Sequence, residues 1–154
     1  MEKVRILDYT PAYGDDFKRI SYAWIEQYFG IEDQDRQLLE NHKAEIIDKG
    51  GVILFAEYDG KIAGSCALIK YSDAFYELAK MGVMPEYQGL KLGRKLAEAV
   101  IARARDLGAQ KVFLESSSQL KAALALYEKL GFRPDPDLDI SPFSRCNLQL
   151  ALTL

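Results

Sequence analysis

Cysteine and histidine, the side chains that most often hold metal ions, are scarce in this chain. Its 154 residues include two cysteines and one histidine. Cys66 and Cys146 lie in apolar runs without metal-ligand spacing, which argues against a metal centre and fits buried thiols in a reducing cytoplasm. His42 lies in a polar helical stretch, where we expect a solvated side chain rather than a catalytic one.

Long apolar runs and an excess of positive charge are also missing. No apolar run reaches the ~20 residues that span a bilayer, and the charged start, MEKVRILDYT, is unlike a signal peptide. The formal net charge is −3, so strong affinity for nucleic-acid phosphate is not expected. We therefore expect a cytoplasmic protein whose partners are neither membranes nor nucleic acids.

The length and the 49% of apolar residues suit a single domain over residues 1–154. A first helix is expected to be capped by Asp15 or Asp16 and ended by Gly30. Further helices are predicted at 33–47, 92–107 and 120–130, and strands at 4–7, 52–58, 61–71, 75–84, 111–115 and 144–154. Strands early and alternating strands and helices later indicate an α+β fold.

The most informative stretch is 77–94, with the sequence ELAKMGVMPEYQGLKLGR. A strand-like run over 78–84 ends at Pro85, and QGLKLG then opens a helix. Free backbone N–H groups, a helix dipole and Lys91 meet there, which suits a phosphate group. Gly89 and Gly93 alone would be explained equally well by a strand-to-helix turn, but the order of strand, proline, Gln-Gly and helix favours phosphate binding.

A second piece, LYEKLGF at 126–132, completes a pattern. Together the two pieces resemble the GNAT superfamily of acetyl-coenzyme A-dependent N-acetyltransferases. Gln88 and Gly93 match its first motif, whereas Lys91 stands where the central glycine is usual. The resemblance covers roughly 77–132. It implies the GNAT fold, a mixed and mostly antiparallel sheet flanked by helices, with acetyl-coenzyme A as cosubstrate and no metal.

The resemblance also assigns roles to residues. The strand before the loop would pair with the pantetheine arm, and the loop would hold the pyrophosphate. The implied coenzyme contacts are Met81, Val83, Gln88, Gly89, Leu90, Lys91, Leu92, Gly93 and Arg94. Tyr127 stands where a family tyrosine protonates or hydrogen-bonds the departing thiolate. The alternative for Tyr127 is a core position on an amphipathic helix.

Glu77 resembles the glutamate base of histone-type GNAT enzymes. An alkylamine with a pKa of ~10.4 is mostly protonated at pH 7, so a general base would assist transfer. A solvated strand glutamate explains Glu77 equally well. Glu115, or a chain of water molecules, is the alternative base.

Arg145 and Asn147 alternate on the predicted closing strand and so share one face. The last strands flank the acceptor pocket in GNAT enzymes, and an arginine beside an amide suits a carboxylate. We therefore expect a small-molecule primary amine, and in particular an amino acid-like one, as the acceptor. The alternative is that Arg145 pairs with an internal acid such as Glu77 or Glu115.

Other functions and states stay open at the level of sequence. A catalytically silent acyl-coenzyme A-binding module and a peptide or protein N-acetyltransferase are the rival functions, and a homodimer is the oligomeric state to test. Within the superfamily, the chain is most similar to the acetyltransferase half of MarR–GNAT fusions. That similarity lies in residues 46–56, 77–80 and 144–147.

Overall fold

The computed structural model describes residues 3–135 and 146–154. Within these ranges the strands are β1 (Val4–Asp8), β2 (Val52–Tyr58), β3 (Lys61–Lys70), β4 (Phe75–Val83), β5 (Lys111–Ser116), β6 (Arg133–Pro134) and β7 (Leu148–Thr153). The α-helices are α1 (Gly14–Tyr28), α2 (Asp33–Glu40), α3 (Leu92–Asp106) and α4 (Lys121–Lys129). A π-helical turn covers Lys43–Ile47, and 3-10 turns cover Pro11–Tyr13 and Pro85–Tyr87.

The described strands form one sheet in the order β1-β2-β3-β4-β5-β7-β6. The first four strands pair antiparallel with their neighbours, and the predicted strands at 52–58 and 61–71 form a hairpin whose turn is Asp59-Gly60. β4 and β5 are parallel, because α3 intervenes between them, and β5 pairs with β7 in the antiparallel sense. The fold is therefore α+β, as predicted.

Each face of the sheet carries its own core. On one face, α3 and α4 cover a cluster that includes Leu54, Cys66, Leu96 and Val112. On the other face, α1, α2 and the π-helical turn cover a cluster built around Phe17, with Phe55 and Ala67 from the sheet. Side chains at successive positions of one strand, such as Cys66 and Ala67, point into opposite cores.

The parallel contact between β4 and β5 is short. Only Phe75, Tyr76 and Glu77 of β4 pair with β5, opposite Lys111, Val112 and Phe113. Among the strands of residues 3–135 and 146–154, β4 from Leu78 onward pairs with β3 alone, while the end of β5 pairs with β7 alone. The two strands therefore diverge in the middle of the sheet, and the gap between them connects the two faces.

Three local expectations are corrected. α1 begins at Gly14 after the 3-10 turn, so Asp15 and Asp16 lie in its first turn rather than capping it. The helix predicted at 33–47 breaks after Glu40, because the Asn41 side chain donates to the Gln37 carbonyl at 2.9 Å and ends the ladder.

His42 is buried rather than solvated, and only 9% of it is exposed. Its Nδ1 lies 2.8 Å from the Leu39 carbonyl oxygen, and its Nε2 lies 3.1 Å from the Tyr9 hydroxyl. Gly14 leaves the space for this ring, since a Cβ there would lie 3.1 Å from Nε2. The break after α2 turns His42 inward, which the polar sequence around it does not reveal.

Candidate active site

A cavity of about 190 Å³ occupies the gap where β4 and β5 diverge. Its walls come from the end of α1, the second half of β4, the end of β5 and the inner side of α4. The lining residues that carry the argument are Glu77, Lys80, Met81, Glu115, Tyr127 and Cys146. Residues of both sheet faces thus meet at one opening, because the missing β4–β5 pairing leaves a passage through the sheet.

The predicted phosphate loop lies at one end of this cavity. Gly89 has φ +87°, and Lys91, immediately before α3, has φ +63°. Within the described chain, none of the six backbone N–H groups from Gly89 to Arg94 donates a backbone hydrogen bond. Six such donors at the positive end of a fifteen-residue helix form a site for an anion.

Lys91 adopts a backbone conformation that favours glycine. Its φ of +63° lies in the left-handed region, which costs a side chain about 1–2 kcal/mol. The loop therefore accommodates a lysine at this position at a modest cost. The lysine also adds a positive charge where the sequence predicts a pyrophosphate.

The predicted coenzyme contacts divide into two groups. Gln88 and Gly93 line both the central cavity and the shallow concavity over the loop, which Gly89, Lys91 and Leu92 also line. Met81 and Val83 line the central cavity from β4.

Leu90 and Arg94 line neither concavity. Leu90 is 40% exposed, and the Arg94 side chain forms an ion pair with Glu98 at 3.6 Å. The Gln88 amide already donates to the Val83 carbonyl at 3.2 Å, so this side chain holds the loop against β4.

Tyr127 reaches the cavity from α4. It is 7% exposed, its ring packs edge-on against Phe132 at 5.8 Å, and it belongs to the core beneath α3 and α4. Within the described residues its hydroxyl has no hydrogen-bond partner. Burial raises the pKa of Tyr127, with a smaller effect from Cys66, so the phenol keeps its proton at neutral pH. Tyr127 therefore belongs to the core and also lines the cavity, so the two positions that the sequence leaves as alternatives are one position in the structure.

Glu77 enters the gap from the opposite face of the sheet. The Tyr71 hydroxyl donates to its carboxylate at 3.0 Å. Burial, and then the nearby Glu115 carboxylate, raise the pKa of Glu77 to about 7, while Tyr71 and Lys80 oppose the rise. A carboxylate with this pKa is half protonated at neutral pH, which is the condition for proton exchange with an amine.

An outer groove meets the cavity at this point. Glu77 and Glu115 line both the central cavity and the groove, which continues along α2 and the end of β3. A small molecule in the groove would therefore reach Glu77 without passing the coenzyme loop.

The two predicted acceptor residues are Arg145 and Asn147. Arg145 lies outside the described residues, so its role stays a prediction. The Asn147 side chain accepts from the Ser118 backbone N–H at 3.0 Å and donates to the Ser118 hydroxyl at 3.1 Å. Asn147 thus ties β7 to the loop before α4, and Cys146 beside it lines the cavity.

Sequence reasoning missed the buried pair of Asp35 and Lys80. The Lys80 ammonium donates to the Asp35 carboxylate at 2.6 Å, and Lys80 lines the cavity. A backbone φ of +53° at Lys80 marks a bulge in β4. The two residues are 45 positions apart in sequence, so no local pattern connects them.

Neither a metal centre nor a membrane segment emerges from residues 3–135 and 146–154. These ranges contain no group of three or more His, Cys, Asp or Glu side chains placed to hold a metal ion. Every helix within them is too short or too polar to cross a bilayer.

Comparison with known proteins supplies the family. A sequence model described as the acetyltransferase (GNAT) family matches residues 17–132. The chain belongs to the GNAT acetyltransferase family. The match includes β4, the loop before α3 and the segment from Tyr127 to Phe132, and so it spans the cavity walls that β4 and α4 supply.

Individual relatives agree with this assignment. The chain is 30% identical to the probable N-acetyltransferase camello of Xenopus tropicalis over 116 residues, which cover 73% of this chain and 53% of camello. The chain spans about half the length of the curated relatives that it matches first.

Solved structures share the fold of this GNAT protein. A GNAT-family acetyltransferase from Staphylococcus aureus Mu50 superimposes with a TM-score of 0.86 at 23% identity, and the match covers 97% of this chain and 98% of that one. yncA from Salmonella typhimurium, solved with its cofactor acetyl-CoA, superimposes with a TM-score of 0.77 at 21% identity and covers 99% and 94% of the two chains.

Proposed function

We propose that this protein is an N-acetyltransferase that moves an acetyl group from acetyl-coenzyme A directly to the primary amine of a small molecule. The observation that carries the proposal is the gap between β4 and β5, which presents Tyr127 from one sheet face and Glu77 from the other. Donor and acceptor can meet in such a gap without a covalent enzyme intermediate.

The coenzyme side of the proposal rests on the loop and on β4. The N–H groups of 89–94, which donate no backbone hydrogen bond among the described residues, and the charge of Lys91 would receive the pyrophosphate. The edge of β4 from Leu78 onward, which pairs with no described strand on its β5 side, would pair with the pantetheine arm. The acetyl thioester would then lie in the gap beside Tyr127.

The chemical step removes two protons from the acceptor nitrogen and supplies one to the sulfur. The acceptor arrives as an ammonium ion, and Glu77 would take its first proton, directly or through water. The free amine then forms the C–N bond to the acetyl carbon while the C–S bond breaks, and the nitrogen releases its second proton to water as the amide forms. Tyr127 would hydrogen-bond or protonate the departing sulfur. Because a phenol is a weaker acid than a thiol, partial transfer in a strong hydrogen bond is the expected contribution.

Glu77 is favoured over Glu115 as the base because of its surroundings. Its pKa of about 7 balances proton affinity against availability at neutral pH. The two carboxylates lie close enough to interact, and Glu115 would contribute by keeping the proton affinity of Glu77 high.

We further propose that the acceptor is amino acid-like. An amino acid-like acceptor would require Arg145 to bind a carboxylate, with Asn147 as a support for the wall rather than a ligand, since its amide is occupied by Ser118. Arg145→Met tests this. A raised acceptor KM with unchanged coenzyme affinity and melting temperature would support the carboxylate site, and a loss of stability alone would contradict it.

The proposal also covers the domain organisation, the location and the oligomeric state of the protein. We place a single GNAT domain over 1–154 in the cytoplasm, with its similarity to the acetyltransferase half of MarR–GNAT fusions as a hypothesis about ancestry. Dimer formation is open to measurement by light scattering.

The decisive experiment is thiol release from acetyl-coenzyme A over a panel of amines, amino acids and peptides. A free-thiol dye would follow the release, and mass spectrometry would identify the acetylated product. Binding of acetyl-coenzyme A by calorimetry without any product would support a silent binding module instead. Activity on peptides alone would support a protein N-acetyltransferase.

A further inference from the structure

A buried ion pair anchors the beginning of α2 to the middle of β4. The Lys80 ammonium and the Asp35 carboxylate are 2.6 Å apart, with side chains 8% and 0% exposed. The second carboxylate oxygen of Asp35 accepts the Glu32 backbone N–H at 2.9 Å. Asp35 lies in the first turn of α2, where the helix dipole also favours a carboxylate. Both oxygens of Asp35 are therefore used.

The cationic partner lies where β4 changes its course. Ala79 faces Ala67 of β3 and Gly82 faces Ser65, so Lys80 and Met81 together face the single residue between them on β3. This is a β-bulge. The bulge reverses the alternation of the strand.

Side chains before and after the bulge therefore serve different faces. Glu77, before it, lies on the α2 side with the outer groove. Met81, after it, packs against the core beneath α3 and α4.

The bulge has an unfavourable backbone conformation. Lys80 has φ +53°, a region that side chains other than asparagine, aspartate and histidine rarely adopt. Such a residue persists where its surroundings hold it. The contact with Asp35 holds the far end of the Lys80 side chain, and the residues on both sides, Ala79 and Met81, line the cavity.

We propose that Asp35 and Lys80 are positioning residues, whose ion pair fixes the β4 bulge and with it the cavity wall between Glu77 and Tyr127. Neither side chain is assigned a contact with the reacting atoms. The inference rests on the proposed function, because the shape of this wall affects catalysis only if transfer takes place in the cavity.

The pair has an electrostatic consequence for Glu77. The Lys80 charge opposes the rise in the pKa of Glu77 that burial and Glu115 cause, and the Tyr71 hydrogen bond acts in the same sense as Lys80. The other charged groups that line the adjoining groove are Asp33, Glu45, Lys49 and Lys70. Loss of the Lys80 charge should therefore shift the titration of Glu77 to higher pH.

The test uses the double variant Asp35→Asn/Lys80→Met, which removes both charges and leaves no buried ion unpaired. Lys80→Arg keeps the charge and serves as the conservative variant. The matched control is Arg103→Met, which breaks a 2.6 Å ion pair between α3 and Asp8 on the surface, away from the cavity. Circular dichroism and melting temperature establish that each variant is folded.

The first readout is the carboxyl carbon of Glu77, followed by NMR over pH in the full chain without acceptor. We expect its midpoint to rise by about half a pH unit in the double variant, a threefold change in proton affinity, and to stay unchanged in Arg103→Met. The second readout is steady-state kinetics with acetyl-coenzyme A and the best amine of the panel. We expect kcat to fall about tenfold with the KM for acetyl-coenzyme A preserved, and Lys80→Arg to recover part of the loss.

A folded double variant with the wild-type Glu77 midpoint and wild-type kcat would overturn the inference. A lower melting temperature as the sole change would overturn it as well, because the pair would then be structural only. Failure of the proposed function is distinguishable, since a wild-type protein that acetylates no amine fails before any variant is compared, whereas the Glu77 midpoint is read without turnover.

Discussion

The two sides of the cavity are built in different ways. On the coenzyme side, the loop 88–94 and the beginning of α3 form one continuous stretch of chain, and most contacts within it are local. On the acceptor side, Glu77 depends on Tyr71, Glu115 and Lys80, which come from a turn and two strands, and Lys80 in turn depends on Asp35 of α2. The proposed coenzyme site is thus formed by one segment, whereas the surroundings of the proposed base come from several segments.

This difference suggests how the two sides tolerate change. A local loop fails when its own backbone is obstructed, whatever happens elsewhere. A change at one neighbour of Glu77 should alter the proton affinity of this carboxylate only in part, because several neighbours contribute to that affinity. Variants on the coenzyme side should therefore have larger and simpler effects than variants on the acceptor side.

The largest effect is expected from Gly93→Glu in the coenzyme loop. The new carboxylate would lie among the N–H groups that receive the pyrophosphate, and like charges at such a distance cost several kcal/mol. We expect acetyl-coenzyme A affinity to fall about 10³-fold, measured by calorimetry. Gly93→Ala is the matched control, because the nearest neighbour of an added Cβ is the Met81 methyl group at 4.0 Å. Equal affinities in Gly93→Glu and wild type would remove the loop from the coenzyme site.

A smaller effect, confined to turnover, is expected from Glu77→Gln. Loss of a general base costs about 10²-fold in kcat near neutral pH. The deficit should shrink as pH rises, because more of the acceptor is then already a free amine. A full pH–rate profile checks this, with the wild-type acid limb centred near the Glu77 pKa of about 7. Profiles of the same shape in both proteins would leave Glu77 without a role as base and favour Glu115 or water.

The sequence predicts the strand, loop and helix order of the coenzyme side because the information is local. The end of β4 before Pro85 and the start of α3 at Leu92 agree with the prediction, whereas the left-handed conformation of Lys91 was not predicted. On the acceptor side, the sequence indicates single residues but not which residues lie beside them. Nothing local shows that β4 leaves β5 after Glu77 or that Asp35 bonds to Lys80, because both facts depend on which distant segments become neighbours.

The burial of His42 in the core also depends on segments that are distant in sequence. Its neighbours in sequence are polar, yet a broken helix and a glycine 28 positions earlier bury it against Tyr9 and Phe17. The pattern of polarity predicts which face of a regular helix is buried. It fails where the helix changes to a π-helical turn, since the angular spacing of the side chains changes there.

Tyr127→Phe should lower kcat about tenfold, the worth of one hydrogen bond to a charged sulfur. Coenzyme affinity should stay within twofold, because the interaction forms mainly as the thiolate leaves. Stability should also hold, since the hydroxyl has no protein partner within the described residues and the ring contact with Phe132 remains. Tyr58→Phe, whose ring packs against Tyr87, is the control. Wild-type kcat in folded Tyr127→Phe would leave the tyrosine a core residue only.

The smallest effect is a gain in stability that we expect from the same Glu77→Gln change. It tests the surroundings of Glu77 on the acceptor side without any substrate. The pKa of Glu77 is raised from 4.5 to about 7 in the folded state. Wild-type stability should therefore fall as pH rises from about 4.5 to 7, because the unfolded chain loses this proton first. Glutamine escapes that cost, so the variant should be more stable by about 1–2 kcal/mol at pH 8, allowing for partial exposure to solvent.

That gain corresponds to about 2–8 °C in melting temperature for a domain of this size. It should vanish near pH 4, where wild-type Glu77 is protonated in both states. Glu26→Gln gives the control, because it replaces an exposed glutamate of α1 that lies outside the cavity. Calorimetric melts from pH 4 to 8 measure both variants. Equal melting temperatures for Glu77→Gln and wild type at pH 8 would mean that Glu77 ionises freely in the folded protein, and the acceptor side would then lack the base that its neighbours are proposed to tune.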